Sequence, residues 1–138
     1  MRTVLVFGTF DVIHPGHISF LRQARSHGDR LVVSVARDRF VLRKKDRVPV
    51  HSEQQRLAMI RETGLVDEAY LSDPVPGTYS IVERIEPDIV CFGHDQHELQ
   101  QNFDAWQKAG GRSIPTATLE AYKPEKYKSS KLNRASNP

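Results

Sequence analysis

The chain predicts an α/β fold, a doubly wound parallel sheet of about five strands in a single domain, and three observations carry that expectation. Apolar runs rich in β-branched residues recur without polar alternation, beginning with Thr3-Val4-Leu5-Val6-Phe7, as strands buried on both faces of a parallel sheet require. Segments with helical spacing of apolar residues separate these runs, so the pattern is βαβ repeated. Between the first run and the first helix lies a small-residue elbow, Gly8-Thr9, at the kind of junction where such folds hold phosphate.

The elements follow in order. After the strand Thr3 to Phe7, Pro15 suits a helix's first turn, and Ile18, Leu21, Ala24 and Arg25 continue at helical spacing; the helix therefore begins near Pro15 or Gly16. Arg30 to Ala36 is a second buried strand, and the basic stretch Arg43-Lys44-Lys45-Asp46-Arg47 reads as a loop. A helix spans Ser52 to Thr63, with Ser52 as N-cap, Glu53 to Gln55 in the first turn and Leu57, Met59 and Ile60 as apolar positions. A short strand at Glu68 to Leu71, a helix at Thr78 to Ile85 and a strand at Asp88 to Phe92 come next. His97 to Ala109 is helical, Gly110-Gly111 ends it, and Arg112 to Thr116 is the last strand. Right-handed crossovers turn this order into a Rossmann-like sheet with ligand at the carboxyl ends of the strands.

Composition bounds the function. A chain of 138 residues with 38% hydrophobic and 27% charged content suits one globular domain, placed here at residues 1–132, with 133–138 as a polar tail like a linker to a longer chain. No apolar stretch approaches the ~20 residues of a membrane span, and Met1-Arg2-Thr3 leads straight into a strand, so a cytoplasmic location is expected. Cys91, the sole cysteine, lies between Val90 and Phe92 and reads as a core thiol rather than a nucleophile. The net charge of +3 is concentrated in two clusters, Arg37 to Arg47 and Lys123 to Lys131. These suit a polyphosphate ligand better than nucleic acid, since only Phe40, Tyr122 and Tyr127 interleave with the charge.

The stretch Gly8-Thr9-Phe10-Asp11-Val12-Ile13-His14-Pro15-Gly16-His17 carries the chemistry. Free N–H groups and the positive dipole end of the helix attract phosphate oxygens, and Gly16 lets backbone or ligand approach without a Cβ. His14 and His17, three apart, face one side and can donate hydrogen bonds to an oxyanion. A zinc site is the rival reading, but the only Cys is distant and no His-Glu-x-x-His pattern occurs; no metal ligand is assigned.

Gly8-Thr9-Phe10-Asp11 followed by His14-Pro15-Gly16-His17 resembles the signature of the HxGH nucleotidyltransferases, the superfamily of small cytidylyltransferases, pantetheine-phosphate adenylyltransferase and archaeal-type FAD synthase. The resemblance extends through most of the chain. It implies catalytic roles for His14, His17 and Lys44, with Lys45, Arg56 and Asp11 toward the acceptor phosphate, although Asp11 has bracing the loop as its alternative. It implies nucleotide contacts from Gly8, Thr9, Phe10 and Gly16 at the elbow, and from Gly93 and Asp95 after the strand ending at Phe92. There Gly93-His94-Asp95-Gln96 departs from the Gly-Asp-Asp of glycerol-phosphate cytidylyltransferases toward the FAD-synthase branch. Ser129 and Ser130, with Lys128, match the family's hydroxyl-rich turn for the β and γ phosphates, without its Gly-Ile-Ser-Thr form.

The first expectation for function is transfer of CMP from CTP to the phosphate or phosphonate of a small alcohol, releasing pyrophosphate, with Mg²⁺ accompanying the triphosphate and a homodimer as the assembly. Its rival is FAD-synthase-like transfer of AMP from ATP to FMN. A catalytically silent nucleotide-binding domain is the alternative of another class. Tyr79, Phe103, Trp106 and Tyr122 are expected as loop-borne pocket walls.

Overall fold

The computed structural model describes residues 1–45, 49–75 and 77–122, with the backbone alone at 43–45. Its elements run β1 (Thr3–Gly8), α1 (Pro15–Arg25), β2 (Arg30–Val35), α2 (Asp38–Lys45), α3 (Glu53–Glu62), β3 (Glu68–Leu71), α4 (Ser80–Ile85), β4 (Ile89–Phe92), α5 (His97–Ala109) and β5 (Thr116–Thr118). The five strands are all parallel in the order β3-β2-β1-β4-β5. The winding reverses between β1 and β4, which opens a crevice at their carboxyl ends.

The unbroken apolar runs have the reason inferred for them. Val4 and Val6 pack with Leu21, Ala24, Leu57 and Ile60 on the α1/α3 face, while Leu5, Val32, Val90 and Phe92 pack with Ile81, Val82 and Phe103 on the α4/α5 face. Cys91 is fully buried in the first of these clusters, and burial pushes its thiol up to about 11, as suits a core residue. No helix among the described residues is long and apolar enough to cross a membrane.

Three elements differ from expectation. Where the chain after β2 reads as a loop, it forms α2. Its first turn is closed by a partner fifteen residues on: Glu53 Oε1 accepts from the Asp38 N–H at 2.9 Å, and Asp38 Oδ2 accepts from the Glu53 N–H at 3.2 Å. Each helix start therefore caps the other. The last strand is Thr116–Thr118 rather than Arg112 to Thr116. The intervening segment is held against α5 as irregular chain instead, because the Gln107 amide brackets Ile114 through both its backbone groups and Arg112 lies 4.0 Å over the Trp106 ring. The helix at Thr78 to Ile85 also starts later, at Ser80, after Tyr79 in a left-handed conformation (φ 49°).

Candidate active site

The exit of β1 is built on close packing. Phe10 turns back with φ 54°, leaving its ring 3% exposed and against both His17 and Phe20, at 5.5 and 6.1 Å between ring centres. That ring occupies the space a Cβ on Gly8 would need. Gly8→Ala is therefore expected to lift Phe10 off His17 and to cost about 1–3 kcal/mol, measurable as a lowered denaturation midpoint.

His14 and His17 act first as helix caps. His14 is the N-cap of α1, and its Nδ1 accepts from the Gly16 N–H at 3.1 Å; Nδ1 of His17 accepts from the His14 N–H at 3.4 Å. The HxGH spacing is thus a capping box in which imidazoles replace the usual hydroxyl and carboxylate. Because each Nδ1 is an acceptor, the neutral rings carry their protons on Nε2. The rings stack 3.9 Å apart, and no acidic side chain sits in the first turn to offset the positive end of the helix dipole. The backbone N–H groups of this turn are taken by the cap, His17 and Ile18 both donating to the His14 carbonyl, so the two Nε2–H groups at the positive end of the dipole are what make this a candidate anion site.

The neighbouring loops are braced by Asp11 and Arg56. The Asp11 carboxylate accepts from the Val50 and His51 N–H groups, each at 2.9 Å, and His51 Nδ1 donates to the Asp11 carbonyl at 2.6 Å. Burial pushes the Asp11 carboxyl up, but those N–H groups and the nearby His51 and Arg56 charges outweigh it and hold the group below its usual range. Both oxygens are spent on the loop, so the bracing alternative describes Asp11 and the acceptor-phosphate expectation does not.

Arg56 requires a similar correction. It is 0% exposed, and its guanidinium donates to the carbonyls of Thr9 (2.8 Å), Ala36 (2.7 Å) and His51 (3.2 Å) and to Asp38 Oδ1 (2.6 Å). It ties the ends of β1 and β2 to the starts of α2 and α3 and cannot touch a phosphate.

At the exit of β4, Gly93 is buried, and a Cβ there would stand 3.1 Å from Asp95 Oδ1 and 3.4 Å from the Phe20 ring. Asp95 is exposed and lines the cleft. Gln96 is a residue the motif reading missed: Oε1 accepts from the Gly93 N–H and Nε2 donates to the Phe7 carbonyl, both at 2.8 Å, which ties β4 to β1 across the crevice. Its signal was its place inside Gly-His-Asp-Gln.

Lys44 and Lys45 end α2, with side chains outside the described residues, and Lys128, Ser129 and Ser130 lie outside them altogether. The chain leading to that last segment is held at the site. The Gln23 amide donates to the Glu120 carbonyl at 3.0 Å and accepts from its N–H at 2.9 Å, and Tyr122 follows at the cleft wall.

The cleft these elements enclose measures about 1490 Å³ and is lined from Gly8 to Val12, from His14 to His17, at Gly93 to Gln96, and by residues that sequence reading did not assign, among them Ser34, Ser72 and Asp73. Asp73 caps α4, its Oδ2 accepting from the Ser80 N–H at 2.6 Å. Of the expected walls, Tyr79 and Tyr122 line the cleft. Phe103 and Trp106 do not, because α5 carries them into the core, where they pack 5.6 Å apart. Among the described residues no group of three or more His, Cys, Asp or Glu could hold a metal ion.

The cytidylyltransferase-like family model matches residues 5–135. The FAD synthase of Thermococcus onnurineus is 40% identical over 130 residues, 94% of this chain and 87% of its own length. That of Methanococcoides burtonii is 47% identical over 106 residues, 74% and 72% of the two chains. Among solved structures, the lipopolysaccharide core biosynthesis protein of Thermoplasma volcanium superposes with a TM-score of 0.79 at 32% identity, covering 89% of this chain and 99% of its own. Curated relatives named FAD synthase over most of the chain overturn the first functional expectation, CTP with a small alcohol phosphate or phosphonate, and favour its rival.

Proposed function

The chain belongs to the cytidylyltransferase-like family of nucleotidyltransferases, and on that premise we propose that it transfers AMP from ATP to FMN, yielding FAD and pyrophosphate. The observation that carries this reading is the 40% identity to an FAD synthase across 94% of the chain. The cleft supports it: about 1490 Å³ exceeds the ~300–1,000 Å³ typical of a single drug-sized ligand and suits a nucleotide beside a second large one.

An FMN phosphate oxygen is anionic at neutral pH, so no strong base is required. It attacks the α-phosphorus of ATP; the new P–O bond forms as the bond to the bridging oxygen breaks, and the electron pair leaves on pyrophosphate. His14 and His17 donate from Nε2 to the α-phosphoryl oxygens as charge builds there, from rings already fixed by their capping bonds. Lys44 aligns acceptor and triphosphate, with Lys45 beside it, while Asp95 and Gly93 take the ribose or base. Lys128, Ser129 and Ser130 hold the leaving phosphates. Mg²⁺ would accompany the triphosphate and, when bound, would supply neutralisation of phosphate charge.

The test is incubation of the protein with FMN and either ATP or CTP in the presence of Mg²⁺. FAD and pyrophosphate are expected with ATP, at a rate at least a hundredfold above that with CTP. Equal rates, or no FAD while pyrophosphate is released with another acceptor, would displace FMN adenylylation.

A further inference from the structure

Two hydroxyls beneath the cleft have no partner. Among the described residues, Ser34 Oγ and Ser72 Oγ are the buried side-chain polar atoms with no hydrogen bond, and both residues line the cleft. Ser34 is 1% exposed. A buried unpaired hydroxyl is costly, and folded proteins rarely keep one unless something else completes it. Their position is set by the sheet. Ser34 lies on β2 in register with Phe7 of β1, and the Ser72 N–H donates to the Val35 carbonyl just past the end of β3. By strand alternation both side chains fall on the α4/α5 face, with Val32.

The surroundings of this pair are apolar. Phe7 and Tyr79 meet edge to face, 5.7 Å between ring centres, and both line the cleft with the serines. Toward the mouth stand Val50 and Val75, which also line the cleft and are 69% and 58% exposed. The acceptor side is therefore aromatic at the wall, polar at two points of the floor and apolar at the rim.

We infer that Ser34 and Ser72 are specificity-determining residues that receive the polar pyrimidine edge of the flavin ring, leaving its dimethylbenzene edge against Val50 and Val75; this rests on the FMN reading above. A hydroxyl both donates and accepts, which matches an edge that alternates C2=O, N3–H and C4=O. A short alcohol phosphate would offer nothing to these groups.

FMN, N3-methyl-FMN and FMN bearing a bulky group at C8 serve as probes, with binding followed by flavin fluorescence and turnover by FAD formation. The wild-type chain is expected to bind the C8 derivative within about threefold of FMN and N3-methyl-FMN about tenfold more weakly. Ser34→Ala with Ser72→Ala is expected to weaken FMN binding by roughly tenfold or more, to shrink the penalty for N3-methylation and to leave the KM for ATP within about twofold. Without ligand, the double variant should melt at or above the wild-type temperature, since an unpaired hydroxyl is removed. A lower melting temperature would show the hydroxyls to be paired within the fold and would overturn the inference. So would unchanged FMN binding and unchanged discrimination in a wild-type chain that makes FAD, with the proposed reaction left standing. A wild-type chain that neither binds FMN nor makes FAD would end both.

Discussion

His17→Ala is expected to bind ATP nearly as tightly as the wild-type chain and to form FAD about 10²–10³-fold more slowly, the usual consequence of removing one preorganised donor from a developing oxyanion. The difficulty with either histidine is that each also caps α1, so a plain alanine variant mixes chemistry with folding. His14→Asn separates them. Asparagine is among the best N-caps and can accept from the Gly16 N–H in place of Nδ1, but it presents no imidazole Nε2–H to the phosphoryl group. His14→Asn should therefore melt within a few degrees of wild type while turnover falls by about two orders of magnitude. His14→Ala should lose the same activity and, in addition, about 1 kcal/mol of stability. Calorimetry, ATP titration and FAD assays on the three variants check this. A His17→Ala chain with unaltered turnover would remove that histidine from the chemistry, and a wild-type chain that binds ATP but forms no product with FMN or any other acceptor would favour the silent nucleotide-binding alternative.

What could be read from the chain alone divides by the range of the interactions. The strands and most helices are local, and Thr3–Gly8, Arg30–Val35 and the Ser52 cap with Gln55 follow from the residues within them. The side-by-side placement of His14 and His17 was legible for the same reason, because their capping bonds span two and three residues. α2 was not, since its start is completed by Glu53 from the next helix. The last strand was misplaced because Gln107 claims Ile114 through side-chain bonds that no strand pattern encodes. Asp11 and Arg56 carry charges that look functional in a motif, and only the fold reveals that their partners are carbonyls and N–H groups of other loops. The substrate expectation was overturned by the relatives, and no local pattern shows that Ser34 on β2 and Ser72 in the loop after β3 line one cleft.

Arg56 is the residue whose loss should damage the molecule most. Arg56→Met keeps much of the side chain's bulk but leaves the carbonyls of Thr9, Ala36 and His51 without their donor and Asp38 without its counter-charge. Breaking a buried ion pair in this way costs roughly 3–5 kcal/mol. The Asp38 side chain is 40% exposed, so water screens part of its charge and the expected cost lies near the lower end, about 3 kcal/mol. For a chain of this size that corresponds to a fall of roughly 10 °C in melting temperature. Arg56→Lys should rescue little, because one ammonium on a flexible stem cannot reproduce a planar fork that serves four acceptors. Asp38→Asn, which retains an acceptor for Arg56, should cost less than half as much. Activity should fall with stability in Arg56→Met, since Thr9 and His51 belong to the loops that frame the phosphate site, and the remaining folded fraction should show an unaltered preference for ATP. The contrary result is equally readable: an Arg56→Met chain that melts normally but requires far more FMN or ATP for turnover would return this arginine to the phosphates, and would mean that its burial opens on binding.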